Sequence, residues 1–380
     1  MPDASAFPPD FDPFSDTSSD TPARRSSAEA RRIPPVRPSR GTRRTLYVDV
    51  PGAVVRKRKK HFLVQAHTDD GPKRLATVPL HEIDTIALVG RVHCTMPALR
   101  LCLRQGIQVV LLSRYGKVKG RLTPADPANV DIRLAQYAAQ HNGDQRLDLA
   151  RSFIGAKLHN MAHRVRRRTR RQPSATLDAA LRSIRGFEKR LTAAQTPEEL
   201  LGLEGAATRA YFSAWPDLLL SPDPALQFTK RTRRPPQDAV NALISFTYSL
   251  LQKDVQAACV IAGLDTQLGL LHRPRLNTPS AVLDLMEAFR PVVADSVTLA
   301  LVNRGTIQPE HFEPTNGGIY LTEAGRKIVY KAYGQRRGDE VTLPGMERAL
   351  PYYRAFEAQA RRLARVLDDP SLRYQAFRVQ

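Results

Sequence analysis

Four side chains in the second half of this 380-residue chain have the chemistry of a divalent-cation site. Glu204 sits in GLEGAATRAYF, between two glycines of an otherwise helix-compatible stretch. Each glycine costs roughly 1 kcal/mol in a helix, so the pair makes sense where a backbone or a phosphate approaches closely. The plainer alternative is a surface carboxylate beside a kink. His272 lies in LGLLHRPRL, between an apolar helix and a proline-containing loop, where an imidazole can equally be a cap or a packed side chain. Asp284 and Glu287, in DLMEAFRP, are spaced to project onto one helix face, with Arg290 one turn further on. Two like charges there are unfavourable unless a cation joins them. An imidazole and several carboxylates form a mixed donor set suited to a hard ion such as Mg2+ or Mn2+. Spacing alone does not bring them together.

Polyanion binding is the second chemistry. RVRRRTRR places Arg164, Arg166, Arg167, Arg168, Arg170 and Arg171 at a helix end, TKRTRRPP adds Lys230, Arg231, Arg233 and Arg234, and VRKRKK runs from Arg56 to Lys60. A charge run is commonly a solvated face. Here 58 Lys and Arg stand against 37 Asp and Glu, a formal net charge of +21, and three basic runs in such a chain point to phosphate-backbone contacts. Helix-turn-helix, zinc-finger and aromatic RNA-binding signatures are missing, as are the glycine-rich loops of NTPases and dinucleotide enzymes. No apolar run approaches the roughly 18 residues of a transmembrane helix. The acidic, proline-rich N-terminus lacks the order of a secretory signal. Cys94, Cys102 and Cys259 sit in apolar surroundings without a CxxC pair, as expected of free thiols in a reducing cytoplasm.

The elements that must position these groups divide the chain. Residues 1–43, with eight prolines and a swing from acidic to basic, cannot bury enough apolar area to offset their ordering entropy and are expected to be disordered. From Thr45 short β-type runs follow: TLYVDV, AVVRKR, HFLVQAH, RLATVPL and DTIALVG. MPALRLCLRQG then reads as a helix closed by Gly106, followed by two more strands to residue 122. Beyond it the apolar spacing turns helical. Thr196, Pro197 and Glu199 form a capping signal, and helices are predicted near 237–263, 280–302 and 346–367. The expected fold is α+β: a strand-rich domain over 44–122, a larger all-α domain over 123–340 and a helical tail over 341–380. VVLLS and TIALVG offer more apolar strand surface than a small sheet needs.

The ordered motifs GRVHCTMPALRLCLRQGIQVVLLSRYGKVKG, GLEGAATRAYF, RTRRPPQDAVNALISFTYSLL, AGLDTQLGLLH and PSAVLDLMEAFRPVVAD resemble the CRISPR-associated Cas1 family, the integrases of spacer acquisition, from about residue 45 to 335. The resemblance implies a β domain joined to an α-helical domain. It also implies one divalent metal, Mg2+ or Mn2+, held by Glu204, His272 and Glu287. Asp284 matches an acidic position that assists the site, Asn241 and Tyr248 match positions close to it, and Arg290 falls where a basic residue suits a phosphate oxygen. Thr208 stands where alanine is common, and Asn277-Thr278 where Gly-Arg is common. The implied activity is a metal-dependent DNA endonuclease and integrase: a 3′-hydroxyl of a short DNA fragment attacks a phosphodiester at the edge of a CRISPR repeat. The implied partners are double-stranded DNA, a second copy bound through the β domain, and Cas2, with no membrane. Two other readings stay open: a non-catalytic nucleic-acid-binding scaffold, and an integrase of a mobile element outside CRISPR immunity.

Overall fold

The computed structural model describes residues 44–68, 71–122 and 130–380. The expectations for 1–43 lie outside the described residues. The strand-rich part comprises β1 (Arg44–Val48), β2 (Val54–Arg58), β3 (His61–Thr68), β4 (Gly71–Pro79), β5 (Ile83–Val89), β6 (His93–Cys94), helix α1 (Met96–Gln105), β7 (Gln108–Leu112) and β8 (Val118–Leu122). It forms two four-stranded sheets, ordered β1-β5-β7-β8 and β4-β3-β2-β6. In the first, β1, β5 and β7 run parallel and β8 returns antiparallel. Val55, Phe62, Val64, Ile86, Leu88 and Val109 close the core between the sheets, with Leu101 and Cys102 of α1. Gly106 ends α1 at φ 66°, a left-handed conformation that glycine adopts without penalty.

The helical part contains α2 (Val130–His141), α3 (Gly143–Thr169), α4 (Ala175–Arg190), α5 (Pro197–Ser213), α6 (Trp215–Leu218), α7 (Ala239–Ile261), α8 (Ser280–Met286), α9 (Asp295–Asn303), α10 (Glu323–Gly338) and α11 (Tyr352–Asp368). Within it lie two small two-stranded ladders that sequence reasoning missed: β9 (Phe312–Thr315) with β10 (Gly318–Leu321), and β11 (Glu340–Val341) with β12 (Leu350–Pro351). The domain is therefore mainly rather than wholly helical. Thr196 caps α5 as expected, accepting from the Glu199 amide at 3.2 Å. Glu199 reaches back one residue further than a capping box requires, to the Gln195 amide at 2.9 Å.

The helix expected over 280–302 is interrupted. α8 stops at Met286, and a single π turn, Arg290–Ala294, precedes α9. Pro291 has no amide hydrogen to donate to the preceding turn, which forces the ladder to re-register. Three carbonyls of this stretch accept from side chains of α3 and α10. Asn160 Nδ2 donates to Ala288 O at 2.7 Å, Arg164 Nε to Pro291 O at 2.9 Å, and Arg336 Nη2 to Val292 O at 2.6 Å. The break thus sets Glu287 just beyond α8 at a fixed angle to α3.

Residues 341–380 pack back onto the helical part. Asn160 donates to Phe377 O at 3.1 Å and accepts from the Val379 amide at 2.8 Å, while Phe377 stacks on Phe289 with centroids 5.3 Å apart. The apolar strands thought to be in surplus are covered by the chain itself. Ile86, Leu88 and Val109 face the inter-sheet core, and Ala87, Val89, Val110 and Leu112 are buried as well, leaving Leu111 exposed.

Candidate active site

Three helices bring one stripe each to the same place. On α3, Lys157, Asn160 and Arg164 follow one another at three- to four-residue spacing. On α5 the stripe is Glu204, Thr208 and Tyr211, and on α7 it is Asn241, Ser245 and Tyr248. The Lys157 ammonium bridges two carboxylates: it is paired with Glu204 Oε1 and lies 2.5 Å from Glu287 Oε2. Thr208 donates to Glu204 Oε1 at 2.7 Å, so the residue that departs from the common alanine has a partner in the site. Burial alone would raise the Glu204 carboxyl, but Lys157 holds it below the usual carboxylate range. Glu287 is 2 % exposed. Burial opposes its charge too, yet Arg290, Lys157 and His272 hold its pKa down to about 2.

The loop bearing His272 is folded around a single carboxylate. Asp284 Oδ2 accepts from the amides of Leu270 and Leu271 at 2.6 and 3.0 Å; Oδ1 accepts from the His272 amide at 2.9 Å and meets His272 Nδ1 at 2.7 Å. The imidazole is thereby fixed with Nε2 turned towards Glu287 Oε1, 3.9 Å away. Burial would lower the His272 pKa, but the hydrogen bond to Asp284 leaves it raised. Asp284 is a positioning residue here, fully engaged by the loop amides and the ring. Arg290 Nη1 sits 2.8 Å from Glu287 Oε1, and its guanidinium lies 5.3 Å from the Tyr248 ring centroid. Tyr248 donates to Asp295 Oδ1 at 3.0 Å, and Tyr211 to Asp295 Oδ2 at 2.9 Å. Asn241 stands apart from the carboxylates. It accepts from Arg231 Nη1 at 2.7 Å and from the Thr232 amide at 2.9 Å, and donates to Lys230 O at 2.8 Å, pinning the 230–232 segment to α7.

Beside this cluster lies a groove of about 1190 Å³ between the β7–β8 turn and α7. Arg114, Lys117, Lys119 and Arg121 line one side, and Arg231, Arg233, Arg234 and Arg290 the other; among the described residues the lining holds no Asp or Glu, and Glu313, just outside it, pairs with Arg114 at 3.5 Å. Arg233 and Arg234, grouped on sequence with the DNA-contacting residues, are exposed there; Lys230 is exposed just outside. The run at the end of α3 divides differently. Arg164 faces inward, towards Pro291 O and Ser296, and Arg168 binds Asp217 O at 3.1 Å. Arg166 is half-buried, and Arg167, Arg170 and Arg171 lie away from the groove.

The sequence profile of the CRISPR associated protein Cas1 family matches residues 46–335. The chain belongs to the Cas1 family. It is 33 % identical over 328 residues to the CRISPR-associated endonuclease Cas1 1 of Chlorobaculum tepidum, covering 85 % of this chain and 94 % of that protein. It is 35 % identical over 348 residues to a CRISPR-associated exonuclease Cas4/endonuclease Cas1 fusion of Geobacter sulfurreducens, covering 90 % of this chain but only 62 % of the fusion. The Cas1 protein of Thermotoga maritima superposes with a TM-score of 0.71 at 26 % identity, over 86 % of this chain and 97 % of that one. A casposase bound to integration product shares the fold, with a TM-score of 0.76 at 22 % identity over 86 % and 91 % of the two chains.

Among the described residues of this Cas1 protein, no three His, Cys, Asp or Glu side chains already form a metal-ligating group. The donor chemistry nevertheless fits a divalent ion. Glu204 and Glu287 converge on one cation, the Lys157 ammonium, and Glu287 Oε2 is buried without an aimed hydrogen bond. The glycines flanking Glu204 meet no close backbone: nothing lies within 4 Å of a Cβ at Gly202, and only Arg209 Nη1, at 3.8 Å, at Gly205. Sequence reasoning missed Lys157 and the Arg114–Arg121 side of the groove. A lone lysine inside the apolar run FIGAKLHN was the available signal for the first. For the second the signal was weak, because those residues alternate with uncharged ones along β8 and the turn before it.

Proposed function

We propose that this protein is a DNA endonuclease and integrase of CRISPR spacer acquisition. The observation that carries the reading is Arg290, which pairs with Glu287 in the carboxylate cluster and also lines the basic groove. A phosphodiester lying along that groove would be delivered to the carboxylates and His272. Glu204, His272 and Glu287 would hold a divalent ion, Mg2+ or Mn2+. Such an ion polarises a phosphoryl oxygen and stabilises charge on the attacking and departing oxygens.

The chain's own residues do the rest. Asp284 fixes the His272 ring, and Arg290 and Arg231 neutralise phosphate charge where the groove meets the cluster. Arg114, Lys117, Lys119, Arg233 and Arg234 track the backbone without reading bases. In the proposed transfer, the 3′-oxygen of the fragment forms a new bond to phosphorus and the 3′-oxygen of the target strand leaves. The attacking hydroxyl's proton passes to solvent and the leaving oxygen takes one up. No protein nucleophile is needed. A second copy joined through the β domain and a Cas2 partner, both implied by the family, belong to the same proposal.

The test is strand transfer of a DNA fragment into a plasmid carrying a CRISPR repeat, with Mg2+ or Mn2+. Wild type is expected to join a 3′-hydroxyl fragment and not a 3′-deoxy one, and Glu204→Gln to bind DNA without joining. Wild type that binds DNA but does not join it would return the chain to the scaffold reading, and equal joining by Glu204→Gln would overturn the role given to Glu204. Joining that ignores the repeat would favour an integrase outside CRISPR immunity.

A further inference from the structure

Lys157 is buried in the middle of α3, and both of its acidic partners are carboxylates assigned above to metal binding. Glu204 comes from α5 and Glu287 from the turn after α8, so one ammonium ties three separately folded elements at a point. The two ends are not equivalent. The ammonium donates to Glu204 Oε1, whereas Glu287 Oε2 lies 2.5 Å away without an aimed hydrogen bond. Arg290 is a second cation on Glu287: it holds the opposite oxygen, Oε1, which His272 Nε2 also faces at 3.9 Å, and is packed over Tyr248 on the groove side.

We propose that Lys157 is the resident counter-cation of the site, neutralising Glu204 and Glu287 until a divalent ion displaces it from both. The inference rests on the metal reading above and adds a residue that opposes loading. The half-buried Glu204 and the buried Glu287, from separate elements, repel each other, so without a cation the cluster would splay or take up protons. The lysine prevents that in the metal-free protein. A lysine is suited to the task because its charge is a point on a flexible four-carbon stem with three rotatable donors. It can swing away without moving the backbone, which the packed guanidinium of Arg290 is not free to do. At an effective dielectric near 20, unit charges about 4 Å apart interact by far more than a tenfold factor. Ammonium and ion therefore do not share the two carboxylates. Lys157 keeps the site assembled when empty and weakens metal binding.

The full-length chain without DNA is titrated with Mn2+ by calorimetry, as wild type, Lys157→Met and Glu204→Gln, and melted with and without Mn2+. Lys157→Met is expected to bind Mn2+ at least tenfold more tightly than wild type. It should melt lower than wild type without the ion and gain a larger rise with it. Glu204→Gln should lose the binding. If wild type binds through Glu204 while Lys157→Met matches it in affinity and in Mn2+-induced rise, the displacement is wrong and the metal site stands. If wild type binds no Mn2+, both readings fall. Should Lys157→Met not fold without metal, wild-type protein with 15N-labelled lysine side chains decides. Saturating Mg2+ is expected to shift or abolish the Lys157 ammonium signal, and an unchanged signal overturns the proposal.

Discussion

Asp284→Asn isolates the step that orients His272. The carboxylate is 1 % exposed; it accepts from the three consecutive amides of Leu270, Leu271 and His272 and meets the imidazole Nδ1. Asparagine keeps one oxygen and turns the other into a donor; with that donor on the His272 side the ring can accept through Nδ1, so at least one loop amide is left facing a donor. At about 1–3 kcal/mol per buried unsatisfied group, the loss is on the order of 1–3 kcal/mol. A chain of this length loses roughly 1.3 °C per kcal/mol, so the melting temperature should fall by about 1–4 °C in scanning calorimetry. The same substitution removes the hydrogen bond that raises the His272 pKa. In wild type, the stability from this pair is complete below the unfolded imidazole value of about 6.5 and is lost as pH rises through the raised folded value. The variant should lack that limb, and its His272 C–H resonances should titrate at lower pH. Since a metal needs the neutral imidazole, the pH midpoint for Mn2+ binding should fall with it. An unchanged melting temperature with an unchanged His272 titration would refute the positioning role.

Glu287→Gln tests the acid limb. Its carboxyl is held at about 2, so its contribution is complete above its unfolded value near 4.5 and is lost as pH falls towards 2; melts between about pH 5 and pH 2 should be flatter in the variant. Tyr248→Phe leaves Asp295 Oδ1 without its donor while Tyr211 keeps Oδ2, which should cost about 1–3 kcal/mol in denaturant unfolding. The ring stays, so Arg290 keeps its packing and duplex affinity should be unchanged. Replacing Arg233 and Arg234 with alanine, or Lys117 and Lys119, should flatten the log–log salt dependence of duplex binding by about 0.9 for each phosphate no longer neutralised. Replacing Arg166, Arg167 and Arg168 should change the slope less, because they lie outside the groove. A larger change from the triple variant would move the DNA path to the end of α3.

The strand-rich and helical halves were legible because side-chain period and cap chemistry are local. HFLVQAH and IQVVLLS read as strands on their own, and Thr196 caps α5 whatever lies beyond it. The break after Met286 was less so. Pro291 was visible, but a proline ends or kinks a helix in several ways, and only the hydrogen bonds that Asn160, Arg164 and Arg336 donate to the carbonyls around it fix this one. Arg164 shows why a charge run misleads. Its neighbours in sequence share its type but not its direction, since a helix turns successive residues by about 100°. The hairpin β9–β10 is four residues a side and gains its stability from Tyr320 against Tyr115 and Gly318 against Pro235, pairings with distant segments. Glu204, His272 and Glu287 carried a signal through their motifs. Lys157 carried almost none, because what makes it notable is the pair of carboxylates it meets.

The groove is only as defined as the angle between its two walls, and a buried charge network behind them supports that angle alongside the direct contacts of the β7–β8 turn with Tyr320 and Asn316. Tyr47 of β1 stacks on Tyr330 of α10 at 4.0 Å. Behind it Lys253 of α7 donates to Asp254 at 2.6 Å and to Thr45 of β1 at 3.3 Å. Arg337 of α10 reaches Asp84 of β5 at 2.9 Å and Asp254 at 3.1 Å, and Tyr333 donates to Asp254 at 2.9 Å. Two cations and two carboxylates cancel, which is what permits their burial. Burial would raise the Asp254 carboxyl, but Arg337 and Lys253 hold it below its ordinary value. Such a network is directional where an apolar seam is not: a small rotation of the β domain would break charge-assisted bonds instead of sliding over methyl groups. It lies on α7, the helix that also carries Asn241 and Tyr248. The cations of the β7–β8 turn are therefore held in register with Arg231 and Arg290 by the same helix that supports the active site.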